Sequence, residues 1–471
     1  MTELHLPWLE ISILAPLIGA GCVARCRDSE LARKWCLVMS GFTLLVTAGA
    51  WQDFRLLGAV QADDRWRVFS QWFGHEVLVI DQLSAPLLPL AALFYFLTAI
   101  ATLRAKNRMF SFSSTLLSEA ILLATLSCKD PRWVIGLLAL GTLPPYFELV
   151  ACKKPTRVYV VHMTLFVGLL VAGWSFVEYE GQQRVHTLRA IVPLFAAVLI
   201  RCGMSPSHCW MTELFEQATF GTALLFVVPM VGPYAAVRLV LPVAPDWILR
   251  SMGLISLATA VYASGMALVE RDARRFFCYL FLSHSSLVLV GLEMVTPIGL
   301  TGALCVWISV SLALGGFGLT LRALEVRRGR LSLADFGGLY DHTPNLAICF
   351  ALTGLASVGF PGTFGFVGSE LLVDGAVEAY PYVGVAVVLA AALNGIAIVQ
   401  AYFRLFAGTS YASSVSLKIR VRERYAVLAL AALILIGGLY PQPYVSARHL
   451  AAEEILLERK APSAADSLGT R

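Results

Sequence analysis

The chain has 471 residues, 58% of them hydrophobic and 14% charged, with a mean hydropathy of +0.73 and a formal net charge of +5. This composition belongs to a polytopic membrane protein and not to a string of soluble domains. Long, unalternated apolar runs exclude a β-barrel, and so small a positive charge requires no nucleic-acid partner.

Apolar segments of spanning length are predicted at 8–25, 35–51, 82–104, 111–128, 131–151, 157–177, 188–220, 222–241, 246–269, 275–296, 298–323, 344–377, 381–407 and 424–441. The first begins near Leu6 with no basic region ahead of it and no small-residue cleavage site, so it reads as a retained helix. Between spans two and three, residues 52–80 form a longer outside segment in which Val77 to Ile80 suits a short hairpin strand. Two segments, 188–220 and 344–377, are too long for one straight helix, and each contains a break. The first break runs from Gly203 to Pro206; the second holds Pro361, Gly362, Gly365 and Gly368. Beyond the last span, the tail from Ala451 carries Glu453, Glu454 and Glu458 and is predicted as a surface helix that frays.

Alternate connections are basic: Arg25 to Lys34, Arg104 to Arg108, Lys153 to Arg157, Arg271 to Arg275, Arg322 to Arg330 and Lys418 to Arg424. The positive-inside rule places these loops in the cytoplasm and both termini outside, which agrees with 14 spans. The chain is therefore predicted to be an all-α, multi-pass protein of a bacterial cytoplasmic (inner) membrane. Interrupted spans five helices apart, the seventh and twelfth, are the sign of two inverted five-helix repeats. The expected organisation is helices one to three in 1–110, a first repeat in 111–241, a second in 246–407, and the last helix with a polar tail in 408–471.

Unpaired backbone in hydrocarbon costs several kcal/mol per group, so a mid-span break persists only where protein or water satisfies it. Charged residues beside such breaks default to function. Around the seventh span lie Arg201, His208, Glu213 and Glu216; the tenth carries His284; Glu370 follows the second break, with Asp374 one helical turn on. Glu119 and Glu148 are lone carboxylates in the fourth and fifth spans. The competing readings are structural: an Arg–Glu pair that pins helices, and histidines that satisfy freed carbonyls. The ten cysteines are scattered singly, without a C-x-x-C pair or a metal-ligand cluster, and read as apolar fillers. No nucleotide-binding or redox motif is present, so no cofactor and no metal are expected in this chain.

Five stretches together resemble the antiporter-like membrane subunits of respiratory complex I, most closely the subunit M type. The family's Lys-x-x-x-x-Pro-Phe-His-x-Trp corresponds to Arg201 through Trp210, and its Asp-x-Lys-Arg…Tyr-Ser-Ser-x-Ser-His to Asp272 through His284. Its Pro-Gly-Thr-x-x-Phe-Val-Gly-Glu corresponds to Pro361 through Glu370, slightly shifted. Tyr234 with Arg238 matches its eighth helix, and Tyr440 to Pro443 its ending. The resemblance covers roughly 8–445 and implies proton movement along a row of charged residues in mid-membrane. Against that row, Ala139 stands at the fifth-helix glutamate position, Arg201 and Met230 at the lysine positions, Val310 near that of a later histidine, and Ser369 at the twelfth-helix glutamate position. Lysine is absent from residue 155 to 417, and arginine is a poor proton exchanger.

The resemblance implies a proton path over Arg201, His208, Glu213, His284 and Glu370; Glu119, Glu148, Glu216 and Asp374 are secondary candidates on the residues alone. It implies the lipid bilayer, other membrane subunits and protons (or Na⁺) as partners. Redox chemistry would belong to other subunits of an NADH-quinone oxidoreductase-type assembly. Two alternatives share the scaffold: a proton-conducting subunit of an inorganic-carbon uptake complex, and a structural subunit without transport.

Overall fold

The structure is a computed structural model that describes residues 2–66, 77–102, 110–181, 186–408 and 421–460. The basic residues Arg104, Lys106, Arg108, Lys418 and Arg420 fall outside the described residues, as does the tail beyond 460. Two compact units result, Met1–Val171 and Ala172–Arg471, and their boundary falls inside the sixth predicted span.

In the first unit, β1 (Thr2–Glu3) is followed by α1 (Trp8–Arg25), α2 (Ser29–Leu57), β2 (Gln61–Asp63) and β3 (Val79–Asp81). The expected hairpin strand is β3: it pairs antiparallel with β2, opposing Ile80 to Ala62, while β1 adds in parallel on the other side. Asp53, near the end of α2, ties the N-terminus down by accepting from the His5 amide and the Trp8 indole, both at 2.9 Å. Then come α3 (Leu87–Ala101), α4 (Phe112–Leu126), α5 (Pro131–Gly141), α6 (Leu143–Ala151) and α7 (Arg157–Glu180), the last running across the boundary. The fifth span is thus two helices, because Pro144 and Pro145 cannot donate into the preceding turn. Tyr159 donates to the Thr142 carbonyl at that joint, 2.7 Å away.

The second unit holds α8 (Leu188–Cys202), α9 (Cys209–Gln217), α10 (Phe220–Val227), α11 (Val231–Ala235) with a π-turn over Ala236–Val240, and α12 (Asp246–Val269). It continues with α13 (Ala273–Glu293), α14 (Pro297–Arg328), α15 (Pro344–Ser357), α16 (Phe364–Ala379), α17 (Pro381–Phe406), α18 (Val421–Leu439) and α19 (Gln442–Lys460). Asp272 starts α13 by accepting from the Arg274 and Arg275 amides, and Thr296 with Pro297 starts α14. Both helices are apolar all round and buried along their spanning windows, so they form the centre of this unit. Contact between α14 and α16 is close because glycines face one another: a Cβ on Gly375 would lie 2.5 Å from the Gly299 Cα, and one on Gly302 2.5 Å from the Leu372 amide. Without a strong hydrophobic drive between helices in lipid, such small-residue contacts supply the packing.

Among the described residues, nine helices are long and apolar enough to cross a membrane, or ten if the pair α18–α19, bent by 82°, counts as one span. Three more apolar helices, α3, α4 and α15, are shorter, and the seventh and twelfth spans are split as their sequences require. The tail differs from expectation. It is helical from Gln442, and α19 lies against α14 with Arg448, Ala451, Ala452, Ile455 and Leu456 buried. These residues repeat at helical spacing, which gives the segment a face to dock.

Candidate functional site

The seventh span ends its first half at Gly203, whose φ of +71° is the left-handed cap that a glycine adopts without strain. Arg201, buried in that last turn, donates through Nη2 to the Phe226 carbonyl at 3.1 Å. Its guanidinium lies 4.0 Å from the Phe226 ring centroid and 5.5 Å from that of Trp210. A cation is held here by π-faces and a carbonyl in a site away from water. The Ser205 amide donates to Thr259 Oγ1 at 3.2 Å, so backbone freed by the break finds a side chain on α12. His208 opens α9 with its ring 5.6 Å from Tyr262 and 6.0 Å from Tyr279, and its Nδ1 meets no hydrogen-bond partner among the described residues.

The eighth span is broken too, which the sequence reading did not anticipate. Met230 takes φ +52° between α10 and α11. Pro229 and Pro233 were the available signal. The carbonyls this break frees are occupied: Phe226 by Arg201, and Val228 by Ser311 Oγ at 3.1 Å. A Cβ on Gly232 would lie 2.4 Å from Cys202 Sγ, so the seventh and eighth breaks touch.

The twelfth span opens between Ser357 and Phe364, with Gly359 and Gly362 at φ +78° and +84°. Gly365 and Gly368, expected to loosen the helix, lie inside α16 instead. Their bare backbones permit close approach, to the Ala356 carbonyl at 2.4 Å and the Cys305 side chain at 3.1 Å from a notional Cβ. The opening is covered by α18 and α19. A Cβ on Gly438 would sit 2.4 Å from the Gly362 carbonyl oxygen, and the Tyr444 ring lies 4.0 Å from that of Phe364. Tyr444 also donates to the Cys305 carbonyl at 2.7 Å.

Helix α13 runs between these breaks. Ser286 Oγ lies 3.4 Å from Met204 Sδ at the seventh-span break. One half-turn away, His284 has its Nδ1 2.8 Å from the Leu280 carbonyl and its ring beside the backbone of Ser357, the last residue before the twelfth-span break. Ser283 connects the same level to α12 and α17, donating to the Ala260 carbonyl and accepting from Asn394 Nδ2, each at 2.8 Å.

The remaining predicted residues separate. Glu213 is partly buried on α9, and Glu216 lies 3.7 Å from Arg330 in an ionic group that includes Asp272. Glu119 is fully buried on α4 in the first unit, with no hydrogen-bond partner for either oxygen among the described residues. Cys36 is near it, and Arg33 is near Cys36. Glu148 is buried on α6. Glu370 and Asp374 both lie on the exposed face of α16. Asn394 and the buried Arg448 escaped the sequence reading, the one because a lone amide in an apolar span carries no motif, the other because it lies past the last span. No group of three or more metal-ligating side chains occurs among the described residues.

Residues 160–394, which include the breaks of the seventh, eighth and twelfth spans, match the family described as NADH:quinone oxidoreductase/Mrp antiporter, transmembrane. The chain belongs to the antiporter-like membrane subunit family. Subunit M of the NADH-quinone oxidoreductase of Rickettsia typhi is 26% identical over 274 residues, 56% of this chain and 55% of that protein, so the match spans about half of that relative's length. Chain 4 of the NAD(P)H-quinone oxidoreductase of a Synechococcus species is 26% identical over 480 residues, covering 93% of this chain and 91% of the relative. The fold is that of a chain in the Mrp complex of a Dietzia species, with a TM-score of 0.82 at 17% identity over 95% of this chain and 97% of the other.

Set on its family's pattern, this antiporter-like subunit departs in a geometrically definite way. Where the twelfth-helix glutamate is expected, Ser369 points at the break: a Cβ on Gly359 would meet its Oγ at 2.3 Å. Glu370, one residue on, is turned about 100° around the helix and is exposed. Where the fifth-helix glutamate is expected, Ala139 lines an apolar cleft of about 590 Å³ together with Gly136, Tyr146, Tyr159 and Met163.

Proposed function

We propose that this subunit translocates protons as one membrane component of a complex-I-type quinone-reducing assembly, seated in a bacterial inner membrane with both termini outside. The observation that carries the reading is α13: one buried helix brings polar side chains to two mid-span breaks, Ser286 at Met204 and His284 at Ser357. Arg201 sets the local potential beside the first break, and His208 with Glu213 lies on the segment that follows it. Glu370 and Asp374, exposed on a membrane helix, are supported as the contact with a neighbouring subunit, since carboxylates do not face lipid tails at low cost.

In vesicles holding the assembled complex, His284→Leu should abolish coupled proton flux while quinone reduction by the other subunits persists, and Glu370→Gln should weaken co-purification with the neighbouring subunit. Undiminished flux in His284→Leu overturns the reading. A structural subunit without transport is the second reading, and Arg201 favours it. Its guanidinium is committed to the Phe226 carbonyl and two aromatic faces, a role that stabilises a joint without exchanging a proton. Subunit co-purification with lost flux in the wild type itself would select it.

A further inference from the structure

Glu293 closes α13, the helix that carries Ser286 and His284 to the breaks, and it is itself buried. Its carboxyl packs on bare backbone. A Cβ on Gly253 of α12 would lie 1.9 Å from the Glu293 carboxyl carbon, so a larger residue there would displace it. Glu293 Oε2 meets no hydrogen-bond partner among the described residues. Arg250, one turn before Gly253, is the charged side chain that bears on Glu293, yet it makes no ion pair with it among the described residues. The Arg250 guanidinium rests instead over Tyr380, 5.4 Å from the ring centroid. Other charges at this end are engaged or turned away: Asp246 pairs with Arg459, and Asp374 and Glu378 of α16 are exposed.

A polar stripe on α12 leads inward from this carboxyl. The two helices are antiparallel, and their register is fixed twice: Gly253 lies against Glu293, and the Ala260 carbonyl accepts from Ser283. Between these levels stands Ser256, fully buried, whose Oγ also meets no partner among the described residues. Gly253, Ser256 and Thr259 follow at intervals of three, so each is turned about 60° and displaced about 4.5 Å along the helix from the one before. Ser256 therefore bridges the face that meets Glu293 and the face where Thr259 accepts from the Ser205 amide, at the seventh-span break. On α13, Ser286 lies two turns before Glu293 on the same side and reaches Met204 at that break. Both helices thus lead from one buried carboxyl to one break. A buried polar atom left unmet costs about 1–3 kcal/mol, which apolar residues of similar size would avoid.

We propose that Glu293 is the group through which the seventh-span break exchanges protons with the outer side of the membrane, and that the Ser256 hydroxyl carries them along α12. With both termini outside, α13 ends at the outer surface. Glu293 takes a proton from the outer medium and becomes the neutral acid. The acid passes it to the line of hydroxyls and water along the stripe, where each oxygen receives one proton and releases one, and the carboxylate is restored. The same steps run in reverse for release. Gly253 is a positioning residue, because its missing side chain seats the carboxyl over the stripe. The exchange role rests on the transport reading above; proton binding at Glu293 does not.

The test uses the assembled complex in lipid vesicles whose two sides are held at independently set pH. In complexes that still co-purify, proton flux should fall about a hundredfold in Glu293→Gln, the loss of an acid–base group, and several-fold in Ser256→Ala, which keeps the carboxyl. The dependence of wild-type flux on the pH of the outer side should flatten in Glu293→Gln. Infrared difference spectra between acidic and alkaline media should carry a carboxylic-acid C=O band that Glu293→Gln lacks; a carboxylate that merely balances Arg250 would stay ionised and give none. A wild-type spectrum without that band overturns proton binding at Glu293. Full flux in Glu293→Gln, where His284→Leu loses it, overturns the exchange role and leaves the transport reading standing. Full flux in Ser256→Ala removes the stripe from the path. A wild type that carries no protons overturns the transport reading and the exchange role with it, while the infrared band still decides proton binding at Glu293.

Discussion

At the scale of single residues, environment decides what a side chain can do. Glu370 follows a helix break, but a displacement of one position carries it about 100° around α16, onto the exposed face, while Ser369 meets the break. Arg201 shows the converse: its charge was legible, but its aromatic cage came from Phe226 and Trp210, placed by two different helices. Outside the spans, Asp64 accepts the Glu10 amide at 2.7 Å; burial, reinforced by the Glu10 carboxylate nearby, pushes its pKa from 3.8 up to about 7. The folded state then holds this proton more tightly than the unfolded chain does. Its stabilising contribution is complete below the ordinary aspartate value and is lost as pH rises through about 7. The melting temperature of the reconstituted protein should therefore decline between about pH 5 and pH 8, and Asp64→Asn should flatten that decline. An unchanged slope in the variant would remove Asp64 as its source.

At the scale of elements, a break is tolerated because a neighbour covers it. The twelfth-span opening is sealed by the end of α18, where Gly438 leaves no room for a side chain against the Gly362 carbonyl. Gly438→Ala should push α18 off the opening and cost about 1–3 kcal/mol, measurable as a lowered melting temperature in detergent. A neutral substitution would mean that the seal is looser than its geometry. The breaks in spans seven and twelve could be read from their proline and glycine content and from the excess length of the segments. Those in spans five and eight could not be separated from ordinary proline kinks. Each kept its span near normal length, and the satisfying partners, Tyr159 and Ser311, come from other helices.

At the scale of the whole chain, the C-terminal helix is the largest departure from the sequence reading. Low apolar content and three glutamates suggested a fraying surface helix, but α19 docks through Tyr444, Arg448 and His449. Tyr444 donates to the Cys305 carbonyl, and His449 Nδ1 lies 3.1 Å from Thr301 Oγ1. At its far end Arg459 donates to the Ala244 carbonyl at 3.0 Å and pairs with Asp246 at 2.6 Å. Removing residues 442–471 should lower the melting temperature of the second unit by several degrees, because both ends of the helix lose bonds to that unit. Equal melting of truncated and full chains would make α19 an ornament rather than a brace.

Sequence by itself determined the membrane class, the positions of most helices, the two long broken spans and the family, because hydrophobic length, proline and motif spacing are local properties. It did not determine which polar groups meet. Asn394 on Ser283, Ser286 on Met204, and the seal of Gly438 over Gly362 join residues far apart in the chain. Only the tertiary structure decided them, because in a bilayer each freed backbone or buried polar group must find its partner on whichever helix packing brings alongside.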